Sequence, residues 1–340
     1  YRHGFFVIIT RYGCVMREMK RLKILILFVF AAVNSNAQQV GLSSQYMFNT
    51  FLLNPAVAGS KEFVPIHTSV RKQWVGINEG PVSQSVTAHG YNGYNFGIGG
   101  GLFNESTGPT RRTGLNFTTA YHLVLKGSSS RINQMTLSFG LAATLTQHAL
   151  DKNTLTTYLP NDPTILSAYD ASLIPDVNFG VLLHKGTKWE VGLSAMSLAQ
   201  TRVDIYNLGN QMRNKLVRNY FLHGGYTFQV NEEFKIQPSL VFRMIEALPM
   251  QFDINTRFIY SDRYWAGVSY RHNDAISAMV GINIHRMRFG YSYDFTTSDM
   301  RNYSVGSHEI AFTYFIHGEG KGFLSNKSQS RTRYRPTPSF

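Results

Sequence analysis

The stretch of this 340-residue chain closest to a phosphate cradle is Gly97-Ile98-Gly99-Gly100-Gly101. A nucleotide loop of that kind needs a Lys-Ser/Thr pair after it and a helix whose first amides face the phosphate. Leu102-Phe103 follows instead and leads into a turn expected at Asn104–Gly108. A curved strand, or another part of the chain passing close by, explains these glycines better. The 11 histidines are scattered without a His-Glu-x-x-His spacing, and a lone Cys14 supplies no thiolate cluster. A serine hydrolase would need Ser, His and an orienting polar group brought together. His89, His122, His184 and His223 fall in expected strands among many Ser and Asn, but no Gly-x-Ser-x-Gly elbow is present. No residue is therefore assigned a catalytic, cofactor-binding or metal-binding role.

Those side chains need elements to carry them, and the composition narrows which. The chain is 43% hydrophobic, 14% aromatic and only 16% charged, with 29 Gly, 19 Tyr and 24 Phe. That mixture suits a sheet-rich protein whose apolar side faces something other than water. Lys20, Arg21 and Lys23 precede an apolar run from Ile24 to Val33, and Ser35-Asn36-Ala37 is a small-x-small cleavage site. Residues 1–37 read as upstream sequence and a cleaved export signal, with Gln38 the first mature residue. Cys14 is then lost, and with it any thiol chemistry. The formal charge of +13 falls by six basic residues and one acid to +8. That charge is dispersed and the chain is exported, so nucleic acid is not an expected partner. Arg111-Arg112, after Gly108-Pro109, reads as a solvated turn in preference to a basic patch at a strand entrance, the other reading of the pair.

In the mature chain, no run of eighteen apolar residues suggests a membrane helix. Alternation with period two recurs in segments of about ten residues. Met287, Phe289, Tyr291, Tyr293 and Phe295 share one face, and Arg288, Gly290, Ser292 and Asp294 the other. Ile276–Ile284, Phe252–Tyr260, Met135–Ala143 and His308–Ile316 repeat the pattern. The polar faces carry Gly, Ser, Thr and Asn with scattered Arg and Asp, as a barrel lumen would. Aromatic residues near strand ends, Tyr94, Tyr121, Trp189, Tyr220, Tyr264, Trp265 and Tyr314, suit interfacial girdles. The fold expected is all-β, a transmembrane antiparallel barrel of about 14 strands in an outer membrane.

Residues 38–62 then form an N-terminal segment, 63–317 the barrel, and 318–340 a basic, disordered tail. Short turns are expected at Gly127–Ser130, Asn231–Glu233 and Ser261-Asp262. Longer connections are expected over Leu150–Pro175 and Ser197–Val217, the second with a short helix around Asn210–Leu216.

Ser44-Gln45-Tyr46-Met47-Phe48-Asn49, Leu53-Asn54-Pro55-Ala56-Val57-Ala58-Gly59-Ser60 and Arg71-Lys72-Gln73-Trp74 resemble the start of the PorP/SprF family. Gly97–Gly101, Pro175–Gly180 and Gly192-Leu193-Ser194 are similar to later parts of it. Gln45, Tyr46, Met47, Asn54, Pro55, Ala56, Gly59, Gln73 and Trp74 carry the likeness. The resemblance implies a non-enzymatic outer-membrane barrel of type IX secretion or gliding motility, without cofactor and in contact with outer-membrane lipids. It implies partners among secretion or gliding proteins: a secreted adhesin held at the surface, or an OmpA-like peptidoglycan-binding protein. The other reading of such a barrel is a diffusion porin or small-solute channel. Tyr46, Phe48, Phe51 and Leu52 are expected to tuck against the periplasmic mouth or the lumen, with Asn54-Pro55 turning the chain into the first strand.

Overall fold

The computed structural model describes residues 43–126, 134–152, 171–203, 215–246 and 248–316. The strands belong to one compact unit. They are β1 (Val64–Val75), β2 (Val82–Gly93), β3 (Phe96–Thr107), β4 (Thr110–Lys126), β5 (Met135–Leu150), β6 (Ala171–Lys185) and β7 (Trp189–Met196). They continue as β8 (Asn219–Tyr226, extended by Phe228–Gln229), β9 (Phe234–Ile245), β10 (Gln251–Tyr260) and β11 (Tyr264–Arg271). The last three are β12 (Ala275–Ile284), β13 (Met287–Thr296) and β14 (Gly306–Ile316). Every strand is antiparallel to its neighbours, and β1 closes on β14 through pairs such as Ser69↔Ala311 and Arg71↔Glu309. The result is a closed 14-stranded barrel, which leaves no free sheet edge in the ring.

Alternation decides which way each side chain points. On β13, Arg288, Gly290, Ser292 and Asp294 are buried inside while Phe289, Tyr291 and Phe295 are exposed. A soluble protein would not present so many outward Leu, Val, Phe and Tyr side chains to water; a bilayer accepts them. The two ends of the barrel differ. At one, the connections are short: Tyr94-Asn95, residues 186–188, 230–233, 261–263 and 285–286, and both Val64 and Ile316 lie there. At the other are the long connections 151–170, 197–218 and 297–305. They are called the turn side and the loop side below; in barrels of this kind the turn side faces the periplasm.

Four local expectations need correction. Asn104–Thr107 continues β3, because Asn104↔Thr113 and Glu105↔Arg112 extend the hairpin, and the turn comes at Gly108, where φ is +53°. Arg112 there pairs with Glu105 at 3.1 Å, so the Arg111-Arg112 charge is partly neutralised. Pro175 lies inside β6 rather than in a loop. β7 pairs only with Phe179–Lys185, so the missing N–H of Pro175 breaks no ladder with it, and Thr201 Oγ1 donates to the Pro175 carbonyl at 2.6 Å. Lys215 forms an antiparallel bridge with Arg202 where a helix was expected; residues 210–214 lie outside the described residues. Trp265 points inward and is buried, whereas Tyr94, Tyr121, Tyr264 and Tyr314 stand outside near the turn side. The expected export signal, the expected Gly127–Ser130 turn and residues 318–340 lie outside the described residues.

Candidate functional site

The segment ahead of β1 fills the lumen. It folds as three successive 3-10 turns, Tyr46–Phe48, Thr50–Leu52 and Pro55–Val57. Short 3-10 pieces turn tightly, and here they send side chains outward on all sides. Asn54 sits extended before the third turn, and its Oδ1 accepts the Ala56 N–H at 2.9 Å. Pro55 occupies the first helical position, where its absent N–H costs nothing. The Asn-Pro pair thus starts this turn inside the barrel rather than the first strand. Tyr46, Met47, Phe48, Phe51, Leu53 and Val57 are all buried, as are the polar Gln45 and Asn54. Leu52 is only partly covered.

The wall makes room for this segment with glycine. A Cβ on Gly97 would overlap the Ala58 carbonyl, and one on Gly140 would overlap the Ala56 backbone. Gly180 and Gly192 leave the space that the Asn54 side chain takes. The glycines of β3 therefore serve a close backbone approach, the second of the two explanations their spacing allowed. Gly59 closes the segment at φ +72°, with Gly97 Cα 2.5 Å from where its own Cβ would stand. A cavity of about 10 Å³ between Met47, Phe51, His67 and His89 is barely one water in size.

On the loop side, Ser44 is the centre of a charged network. Its N–H donates to Glu309 at 2.8 Å, and its hydroxyl lies 2.7 and 2.8 Å from the two Asp294 oxygens. Arg71 and Arg271 donate to the same hydroxyl at 2.8 and 3.1 Å. Arg71 also bridges Asp294 (2.6 Å) and Glu309 (3.2 Å), while Arg271 bridges Asp253 (3.2 Å) and Asp274 (3.1 Å). Arg271 is completely buried. Such a group holds only while every charge keeps its partner. Arg71, Asp253, Arg271, Asp294 and Glu309 carry no sequence motif that marks them as a site. The inward phase of Asp253, Arg271 and Asp294 was visible in the alternation, but nothing in the sequence showed which strands would meet.

Toward the turn side the segment is held by ring contacts, hydrogen bonds and one ion pair. Phe48 lies between the Arg257 and Arg288 guanidiniums, 4.5 and 4.6 Å from its centroid, and 4.6 Å from the Trp265 ring. Asn54 Nδ2 reaches the Val181 carbonyl at 3.0 Å and His223 at 3.2 Å, and Ser194 donates to the Leu53 carbonyl. Gly59 N–H donates to His89 Nδ1 at 3.2 Å, and Lys61 pairs with Glu190 at 3.2 Å. Gln73 and Trp74 lie apart from the plug. They form the bulge that ends β1 on the loop side, where Trp74 has φ +53° and its N–H donates to Ser307 at 3.1 Å.

One pair does bear on hydrolysis: His122 Nδ1 is 2.7 Å from Ser138 Oγ, and its Nε2 is 2.9 Å from the Ala58 carbonyl. Ser138 is completely buried beneath the plug. The bond network orients His122 against the plug backbone, and no substrate can reach the hydroxyl while the plug is in place. Taken whole, the arrangement occludes a lumen and fixes a peptide in it.

Among solved structures, the toluene transporter TbuX of Ralstonia pickettii is 14% identical, covering 79% of this chain and 93% of its own, with a TM-score of 0.48. The toluene transporter TodX of Pseudomonas putida is 10% identical, with the same coverages and a TM-score of 0.47. No curated protein matches in sequence. A barrel closed around a polar lumen, with its apolar side chains outside, is an outer-membrane protein. The family described as type IX secretion system membrane protein PorP/SprF matches residues 35–314, nearly all of the segment and strands described above, and the chain belongs to that family.

Proposed function

We propose that this protein is a closed, non-enzymatic docking component of the type IX secretion or gliding apparatus, and that it works by binding protein partners rather than by passing solutes. The observation that carries this reading is the plug. Residues 43–60 take up the lumen cross-section, with side chains buried against β3, β5, β6 and β11. A diffusion channel needs a continuous water path, and a segment buried this closely against the wall supports a shut lumen instead. The family supports a role in secretion. The partners we infer are a secreted adhesin engaged at the loop side, or an OmpA-like peptidoglycan-binding protein engaged at the turn side. In this reading residues 1–37 are removed on export, 38–62 plug the barrel, and 318–340 extend from its turn side.

Two experiments test it. Purified full-length barrel in planar bilayers should show no steady conductance; large stable single-channel currents would overturn the docking role in favour of a porin. Affinity purification from outer membranes of the native host should recover a secretion, gliding or adhesin protein. Recovery of none would count equally against it.

A further inference from the structure

On the outer wall, one patch is not flush. Outward residues of β7, β8 and β9 lie in rows: Leu193, Leu222 and Phe242, then Val191, Gly224 and Leu240. Gly224 has no side chain where its neighbours each present one. A Cβ there would meet the Val191 Cγ2 at 3.6 Å and the Glu190 carbonyl at 3.2 Å, and would otherwise stand in open space. The outcome is an apolar slot with the Gly224 and Gly225 backbone as its floor.

The turn-side end of the slot has a different chemistry. Trp189 pairs with Tyr226 there, and Tyr226 packs on Phe228 at 4.4 Å between centroids. The Lys188 ammonium lies 6.0 Å from the Tyr226 ring centroid, and Lys185 is the cross-strand partner of Trp189. An apolar slot therefore ends, at the depth where a membrane interface is expected, in three aromatic residues and two cations. A stable protein contact needs about 800 Å² on each partner, whereas this slot is confined to three strands. Its apolar lining suits a hydrocarbon chain, and the cations at its end suit an anionic headgroup.

We propose that the slot holds one acyl chain of an anionic glycerophospholipid in the turn-side leaflet, with the phosphate bound by Lys185 and Lys188. The test is native mass spectrometry of the full-length barrel in mild detergent, titrated with phosphatidylglycerol. One retained lipid is expected on the unaltered chain. Gly224→Leu, which fills the slot, and the pair Lys185→Glu with Lys188→Glu should each lower retention by about tenfold or more. Heat-modifiable migration on gels checks that each variant assembles. The lysine pair, on the surface, keeps the test informative if Gly224→Leu does not assemble. Three results would overturn the proposal: no phosphatidylglycerol on the unaltered chain, equal retention by the variants, or equal retention of phosphatidylcholine.

Discussion

The two ends of the plug are fixed by different physics. At Ser43–Gln45 the hold is ionic, with two arginines and four carboxylates of the wall and rim converging around a serine. From Asn49 to Gly59 the hold is steric, with plug backbone lying directly on wall glycines. Ionic holds fail all at once when a single partner leaves, because the remaining buried charges are stranded. Packing against glycine cannot be relieved without moving strands. The comparison teaches that the loop-side end depends on a few charges that can each be removed, while the turn-side end rests on close packing spread over several strands.

The largest expected effect comes from breaking the steric end. Gly140→Val puts a branched side chain where the Ala56 backbone lies, so the plug and a closed wall cannot coexist. The expected outcome is loss of the heat-modifiable band, or a barrel with its plug expelled and conducting in bilayers; normal migration with no conductance would defeat the steric account. Breaking the ionic end is next. Arg271→Met leaves Asp253 and Asp294 buried without that cation, for a loss of about 3–5 kcal/mol, read as a lower unfolding temperature and bursts of conductance. Unchanged stability would mean that the network contributes little.

A third substitution sharpens the boundary between the two regimes. Phe48→Ala removes the ring between Arg257 and Arg288 and should cost about 3 kcal/mol, while leaving the Ser44 network intact and the barrel non-conducting. The smallest effect belongs to the rim: Arg112→Ala breaks a half-buried pair with Glu105 and should change stability by about 1 kcal/mol. A larger loss in urea or thermal unfolding would show that the exposed hairpin is energetically tied to the plug.

The fold was legible because alternation has a single reading once the outward face is apolar and the inward face is small and polar. Arg288-Phe289-Gly290-Tyr291 states its own orientation. Trp265 did not, since an aromatic residue near a strand end fits a girdle or a lumen equally well until Phe48 is known to face it. Pro175 looked like a loop residue because proline is excluded from paired strands; β7 stops before it, and that depends on a neighbour's length. The candidate site was half legible. Asn54-Pro55 and Gly59 announced turns, and the β3 glycines announced a close neighbour. That the turns and the glycines fit one another is a contact between distant residues, which period and propensity do not encode.

The Ser44 network sits across the junction of the first and last strands, with Arg71 on β1 and Glu309 on β14, 265 residues beyond Ser44. The seam and the plug therefore share the same atoms. A chain still short of its final strand lacks Glu309, so Ser44 and Arg71 wait half-satisfied until β14 arrives. Closing the ring and completing the plug's ionic contacts therefore draw on one set of side chains. A barrel closed in the wrong register would carry Glu309 away from Arg71, its cross-strand partner, and leave a buried carboxylate short of one cation.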